Sequence, residues 1–387
     1  MSNVRNASLR AMGNRGYAYN DNTVVNFSNP ATYSAFDTLS FLVEGSIEFQ
    51  SLTLSTSNYS ETGYNTGFNQ LQFGFPIWKY IKASIGLLPY SNVGYSVENE
   101  IIDDIVGKQT YKFEGEGGVN DFYGGLSFQY KNFAIGANVS YLFGSIDKTQ
   151  ALYYSDSSNF FNVKRIEQLA LSSISLDFGA LYNAKLSKDL FLSIGAVYRP
   201  QMNLNSNNSY VAYTFTESSG TETLQDTIAN DTYIKGSVIY PQKIGGGIML
   251  KKLNRYKLLV NFDWTEWSKY ESVMTKQGDL TDAYNASIGF EYSPRSATLS
   301  SYWKWVKYRM GAYYGKQAIL LNDTEIDQFG ITFGLGLPIV RSFSAVNLSL
   351  DLGSRGTVVN NLIQETYFTV TFGFSFYDTW FYRVKYK

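Results

Sequence analysis

The sequence predicts an all-β protein: a transmembrane antiparallel β-barrel of about 14 strands with an N-terminal hatch, or plug, in its lumen. Three observations lead to this prediction. Aromatic residues make up 17% of the chain and charged residues only 17%, a composition that suits pleated surfaces. Apolar and small polar residues alternate strictly in many short segments. The connections between these segments alternate between short, basic stretches and long, acidic ones.

Residues 1–37 precede the first alternating segment and lack its pattern. They are rich in Asn, Gly and small residues and contain Pro30. Such a segment lies either inside the barrel as a plug or in the periplasm as a loose arm, and we favour the plug because wall side chains alone do not fill so wide a lumen. The predicted organisation is a hatch at 1–37, a barrel at 38–377 and a periplasmic tail at 378–387.

The first and last predicted strands show the alternation most clearly. Residues 39–49 alternate apolar and polar side chains, which directs Glu44 and Glu48 toward the lumen. In residues 368–376, large apolar residues fill every even position and Thr, Gly or Ser fills every odd position. This pattern is typical of a wall between lipid and a polar lumen. A soluble sandwich is the alternative, which the recurrence of the pattern disfavours.

The connections predict how the barrel is oriented. Short ones are basic and aromatic, such as IWKYIK at 77–82, whereas long ones are polar and acidic, such as VENEIIDDIVGK at 97–108 and TFTESSGTETLQDTIANDTY at 214–233. Bacterial outer-membrane barrels have short periplasmic turns and long outer loops, so we expect both termini in the periplasm and an export signal upstream of Met1. The predicted lower aromatic girdle comprises Trp78, Tyr80, Tyr130, Tyr256, Trp303 and Trp305.

The basic turns allow two interpretations. Their lysines and arginines either meet the anionic headgroups of membrane lipids or are ordinary solvated turn residues. The sequence does not separate these alternatives. A net charge of −1 gives no indication of a nucleic-acid partner.

The composition also restricts the possible chemistry, because the chain contains neither Cys nor His. Thiolate zinc sites, imidazole ligands, Cys nucleophiles and Ser-His-Asp triads are therefore excluded. Only Asp, Glu, Lys or Tyr remains for acid–base catalysis, and no spacing singles any of them out. We expect neither an enzyme nor a bound cofactor or metal.

Two segments resemble the FadL-like family of outer-membrane long-chain fatty acid transporters. GYAYNDNTVVNFSNPATYSAFDTLSF, at 16–41, is similar to the family's hatch, which ends in an Asn-Pro-Ala motif matched by Asn29, Pro30 and Ala31. Residues 240–270, with Trp264 and Trp267, resemble its late-middle strands. The resemblance covers the layout of the whole chain. It implies a monomeric barrel with an internal hatch that passes hydrophobic compounds.

The resemblance also implies a lateral opening at a kink in the third strand. In this chain the third predicted strand contains ASIGLLPYSNVGYSV, at 83–97. Pro89 cannot donate a ladder hydrogen bond, and Gly86 and Gly94 lack the side chains that would hold a neighbouring strand, so we expect the wall to open near them and Tyr90. A β-bulge that merely bends the barrel is the alternative.

The sequence supports two functions of different classes. The first is a passive outer-membrane channel that takes up hydrophobic small molecules, such as fatty acids, and releases them sideways into the membrane lipids through the third-strand kink. The second is a FadL-like barrel that serves as an accessory subunit of an outer-membrane secretion or assembly complex, with other complex subunits as partners.

Overall fold

The computed structural model shows an antiparallel β-barrel. The strands are β1 (Ser40–Ser55), β2 (Ser60–Pro76), β3 (Ile81–Asp103), β4 (Gly107–Tyr130), β5 (Phe133–Tyr154), β6 (Asn162–Lys185), β7 (Leu190–Arg199), β8 (Met202–Ser218), β9 (Thr221–Tyr240), β10 (Lys243–Lys252), β11 (Tyr256–Thr265), β12 (Ala283–Tyr292), β13 (Lys307–Leu321), β14 (Thr324–Pro338), β15 (Ala345–Arg355) and β16 (Gln364–Thr379). The structure describes residues 6–104, 106–154, 160–218, 220–253, 255–275, 280–294, 301–321, 324–339 and 342–379.

The ring is closed by pairing of β1 with β16. It consists of β1 to β7 and β10 to β16, which confirms the predicted number of about 14 strands. Strands β8 and β9 continue β7 and β10 beyond the ring as a hairpin that pairs with the first part of β6. Pro200 and Pro241 stand at the two breaks, where the missing N–H interrupts the ladder.

The two faces of the ring differ as predicted. On β16, Phe372, Phe374 and Phe376 are exposed on the outside, whereas Thr369 and Thr371 are fully buried on the inside. The same exposed apolar row continues around the ring through residues such as Ile47, Phe68, Ile85, Leu126, Ile135, Ile174, Ile194, Ile248, Val260, Ile288, Met310 and Ile331. An apolar belt around a polar interior is the surface that a bilayer requires of a β-barrel.

The connections define two ends of the barrel. Short turns, such as 77–80, 131–132 and 186–189, lie at the end where β1 begins and β16 ends, and we call this the short-turn end. Trp78, Tyr80, Tyr130, Trp303 and Trp305 are exposed there, and Tyr256 is half-buried beside Phe290. We call the opposite end the long-hairpin end.

The prediction of long polar loops at 97–108 and 214–233 was wrong. These segments form paired strands that extend β3 into β4 and β8 into β9, with turns of only a few residues. Apart from the buried Phe215, the side chains on both of their faces are exposed or half-buried, so neither face carries a continuous apolar row and the period-two signal disappears. Strand pairing still satisfies their backbone groups, which is why they remain extended.

The N-terminal segment 6–36 lies inside the ring. It contains a short helix, α1 (Ala7–Arg10), and a 3₁₀ turn at Pro30–Ala35, and its side chains are almost all buried. At the other end of the chain, β16 continues to Thr379, and residues 380–387 of the predicted tail lie outside the described residues. No described helix has the length and apolarity to cross a bilayer.

Candidate functional site: the wall opening and the hatch

The barrel wall separates between β2 and β3. These strands pair only from Pro76 opposite Lys82 to Leu71 opposite Leu87. Beyond that point, the described part of β2, residues 60–70, pairs with β1 alone, and residues 88–103 of β3 pair with β4 alone. Two strand edges therefore face each other without a shared ladder from the middle of the wall to the long-hairpin end.

Pro89 and Tyr90 lie where β3 leaves β2. The β3–β4 register shifts between Pro89 and Ser91, so Tyr90 is an extra residue without a partner on β4. Such a bulge bends its strand and redirects one side chain. The Tyr90 ring lies inward, where its hydroxyl accepts a hydrogen bond from Tyr240 at 2.7 Å. The bulge that was the alternative to an opening is thus present, and it lies where the β2–β3 pairing ends.

The two glycines singled out by sequence differ in position. Gly86 still lies in the paired part of β3, opposite Gln72 and Tyr123. A Cβ there would lie 2.7 Å from the Tyr123 ring and 2.8 Å from the Leu71 carbonyl oxygen. Gly86 therefore permits close packing and does not free the neighbouring strand. Gly94 lies on the separated part, where a Cβ would meet nothing within 4 Å.

A second bulge, which sequence reasoning missed, lies across the opening on β2. The β1–β2 register shifts between Ser46 and Ile47, leaving Asn69 as the extra residue. The side chains of Gln70 and Gln72 beside it are buried toward the hatch. No proline marks this bulge, so the only available signal was a break in alternation at residues 69–70, where two polar residues follow each other.

A cavity of about 80 Å³ lies between the opening and the hatch. A benzene-sized guest occupies a cavity of about 150 Å³, so this space is closed to such molecules in the present arrangement. Its lining mixes apolar and charged groups from hatch and wall. The residues that line the cavity include Val25, Phe27, Gln70, Leu88, Pro89, Tyr90, Asp121, Arg199 and Lys243.

The Asn-Pro-Ala turn fastens the hatch to β5 and β6 of the wall. The Asn29 side chain accepts a hydrogen bond from the Ala31 N–H at 3.0 Å and donates to the carbonyl oxygens of Tyr17 and Ala180. A Cβ on the wall residue Gly179 would lie 2.1 Å from the Asn29 Oδ1 atom. A Cβ on Gly136 would lie 2.6 Å from the Pro30 carbonyl carbon.

Inward glycines that sequence reasoning did not single out recur where the hatch backbone approaches. On β7, a Cβ at Gly195 would lie 2.0 Å from the Tyr17 carbonyl oxygen. On β12 and β13, Gly289 and Gly311 contact the backbone around Met12 in the same way. A glycine inside a strand often marks close approach of another backbone. Glycines that recur in one strand after another were therefore the sequence signal for a backbone packed inside the ring.

Buried ion pairs attach the hatch to the remaining wall. Arg10 contacts Glu48 on β1, and the Arg15 Nε atom lies 2.7 Å from an Asp263 oxygen on β11. The Lys257 Nζ atom, also on β11, lies 2.5 Å from an Asp21 oxygen. Burial alone would raise the pKa of Asp21, but the charges of Lys257, Lys307 and Lys251 hold that pKa well below its usual range.

Comparison with known families assigns the chain. Residues 2–387 match the family model described as BamG. The chain belongs to the BamG family. No described group of three or more Asp and Glu residues in this BamG-family barrel is placed to hold a metal ion.

Solved structures show that the BamG-family chain has a FadL-like fold. The P. putida toluene transporter TodX is 15% identical, with 97% of this chain and 98% of that one covered and a TM-score of 0.60. A Pseudomonas aeruginosa FadL homologue is 13% identical, with 99% of each chain covered and a TM-score of 0.59. The CymD monoaromatic hydrocarbon channel is 12% identical, with 96% of each chain covered and a TM-score of 0.58. The predicted resemblance is thus confirmed for the fold.

A search of curated protein sequences found no match to this BamG-family chain. At 12–16% identity to the solved channels, the similarity shows a shared fold. A shared fold at this identity does not establish a shared function, which depends on the chemistry of each site.

Proposed function

We propose that this BamG-family barrel lies in the bacterial outer membrane and lets small hydrophobic molecules pass between its lumen and the bilayer. The observation that carries the proposal is the separation of β2 from β3 beyond Leu71 and Leu87. In this proposal the short-turn end and both termini face the periplasm. TodX and CymD, which share the fold, are described as a toluene transporter and a monoaromatic hydrocarbon channel.

The surroundings of the opening suit an apolar solute. Phe68 and Leu71 on β2 and Ile85 on β3 are exposed on the outer surface beside it. A molecule that leaves the lumen here enters lipid directly, without crossing the polar periplasm. Partition contributes about 0.8 kcal/mol for each buried methylene group, so transport needs no other energy source. The proposal includes no catalytic step.

Passage requires the hatch to move, because the cavity of about 80 Å³ beside the opening is too small for the solute. Val25 and Phe27 are among the hatch residues that line this space, and they pack against the wall residues Leu88 and Tyr123. The ring centroids of Phe27 and Tyr123 are 4.5 Å apart. A shift of these two hatch residues would join the lumen to the opening while the ion pairs on the opposite wall stay intact.

Crosslinking tests the lateral route. Because the chain has no cysteine, thiols introduced as Phe68→Cys and Ser91→Cys would be unique targets for a bifunctional reagent that spans the opening. We expect the bridged protein to lose uptake of a labelled monoaromatic hydrocarbon in liposomes. The control pair, Ile331→Cys with Leu352→Cys, joins strands that are already paired and should transport normally. Unchanged uptake after complete bridging at 68 and 91 would reject the lateral route.

A second function is favoured by the free strand edges. Residues 60–70 of β2 and 88–103 of β3 present backbone groups that no described strand pairs with. Exposed edges of this kind accept an extended segment of another protein. We therefore keep the accessory role in an outer-membrane assembly or secretion complex as the alternative. Mass spectrometry of natively purified protein separates the two functions, because a stoichiometric partner protein supports this role and a bound hydrophobic molecule supports transport.

A further inference from the structure

A second, larger cavity opens at the short-turn end, away from the wall opening. Its volume is about 920 Å³, within the usual range of roughly 300–1,000 Å³ for ligand pockets. The hatch segment 21–24 forms its inner side, and the ends of β10, β11 and β13 form much of its wall. Neither of the functions proposed above uses it.

A row of charged side chains crosses the wall of this cavity. Lys251 on β10 is the direct cross-strand partner of Lys257 on β11, which in turn faces Glu291 on β12, and Glu291 faces Arg309 on β13. All four line the cavity. Two like charges directly opposite each other destabilise a sheet unless carboxylates or a bound anion lie close to them.

The carboxylates present are already engaged. Asp21 and Glu291 are the acidic residues among the lining residues, and both lie against Lys257, at 2.5 and 2.9 Å. Glu291 also pairs with Arg309 at 2.8 Å. No ion pair between described residues involves the other four lining cations. Those four cations are Lys251, Lys252, Arg255 and Lys307.

The mouth of the same cavity is apolar. Trp305 lines it together with Ile339 and Phe343, which are exposed there. Leu253 and the hatch residue Val24 add further apolar surface. A ligand that matches this arrangement carries an anionic group at one end, directed toward the lysines, and a hydrocarbon chain at the other, directed outward.

We propose that this basic cavity binds the phosphate-bearing headgroup of an anionic lipid, with an acyl chain along Trp305, Ile339 and Phe343. A phosphate group suits this cavity because its oxygens accept hydrogen bonds from several ammonium groups at once. Lysine side chains are hydrated at no cost on exposed turns, yet Lys251 and Lys307 are directed into the lumen. An anion bound between them would explain this placement. The site does not depend on lateral transport, so it stands or falls separately from the proposed function.

Binding to the purified barrel in a non-ionic detergent tests the proposal. The probes are a short-chain phosphatidylglycerol, the phosphatidylcholine of the same chain length and inorganic phosphate. In Lys251→Gln with Lys307→Gln, we expect affinity for phosphatidylglycerol to fall about tenfold or more, the change expected when two charge-assisted contacts are lost. The matched control, Lys131→Gln with Lys188→Gln, removes the same charge from turns outside the cavity and should bind normally.

The outcomes are distinguishable. Equal losses in the two double variants would mean general surface attraction and overturn the site. Equal affinity for phosphatidylcholine would overturn the role of the anionic headgroup, and phosphate binding as tight as the lipid would replace the lipid with a free anion. Folding provides an independent check. In the lipid-free double variant, Lys251→Gln relieves repulsion with Lys257 while both substitutions remove attraction to Asp21, so we expect an unfolding temperature close to the parent's. A matching unfolding temperature shows that a loss of binding is not caused by misfolding.

Discussion

Two sides of the barrel hold the hatch in different ways. Beside the β2–β3 opening, the hatch meets the wall through apolar and aromatic contacts, with Val25 and Phe27 against Leu88 and Tyr123. Across the lumen, β10 to β13 pair without interruption, and the buried Lys257–Asp21 ion pair joins hatch to wall. The comparison teaches that a moving hatch would yield first at the opening, because apolar contacts slide whereas buried ion pairs must be broken.

The largest effect should come from removing the hatch altogether. Deletion of residues 1–30 takes away both kinds of contact and leaves the lumen open to water. We expect a folded, heat-modifiable barrel whose permeability to small polar solutes rises by an order of magnitude or more, because a lumen of this strand number is wide when unfilled. Liposome swelling measures it. Unchanged permeability would mean that wall or hairpin residues close the lumen without the hatch.

The next largest effect is expected on the ion-paired side. Lys257→Met leaves Asp21 and Glu291 buried without their shared cation, which costs about 3–5 kcal/mol. Hydrogen exchange of the hatch should report this loss of protection. The control, Lys108→Met, breaks an exposed pair with Glu100 and should cost less than about 1 kcal/mol. Similar effects of the two variants would contradict the claim that buried charges fix this side.

Sequence reasoning reached the ring because lipid and lumen impose different solvents on alternate residues. It placed Glu44 on the inner side, where the structure shows it fully buried and accepting a hydrogen bond from Asn6 at 2.6 Å. It also placed the kink at Pro89, two residues beyond the last β2–β3 pair at Leu87. A proline within an apolar strand is a local signal, and local signals are what a single sequence displays.

The charged partners of the hatch were beyond the reach of the sequence. Arg15 and Asp263 are 248 positions apart, and the sequence around each residue gives no indication of its partner. The long hairpins were missed for a different reason, since strands with water on both faces have no apolar period. Gly86 was misjudged because a glycine that frees a strand and one that admits a tyrosine ring look the same in a sequence.

A smaller effect is expected from loosening the apolar side. Phe27→Ala removes a half-buried ring from its contact with Tyr123 and should cost about 1–3 kcal/mol while enlarging the space beside the opening. Uptake of a labelled hydrocarbon should rise. Met12→Ala, which truncates a buried hatch residue against β12 and β13, should destabilise the hatch without raising uptake. Equal uptake by the two variants would remove the distinction between the sides.

The smallest effect concerns acidity. Because the pKa of Asp21 is held well below its usual range, its ion pair stabilises the docked hatch at neutral pH. That contribution is present above about pH 4, the ordinary pKa of the released carboxyl group, and is lost as the pH falls through the lower pKa of the docked state. Protease protection of the hatch should therefore be constant from pH 7 to about pH 5 and decline in stronger acid. The Asp21→Asn variant should show a shallower decline, because the other ion pairs of the hatch still titrate.

The most direct test of the opening is the double variant Pro89→Val with Gly94→Val. It restores a backbone donor at 89 and adds a side chain at 94, where a Cβ meets nothing. Each recovered hydrogen bond contributes only about 1 kcal/mol, so barrel stability should be equal or slightly higher while hydrocarbon uptake is lost. A structure of the variant should show β2 and β3 paired beyond Leu71. Undiminished uptake through a wall seen to be closed would contradict lateral passage.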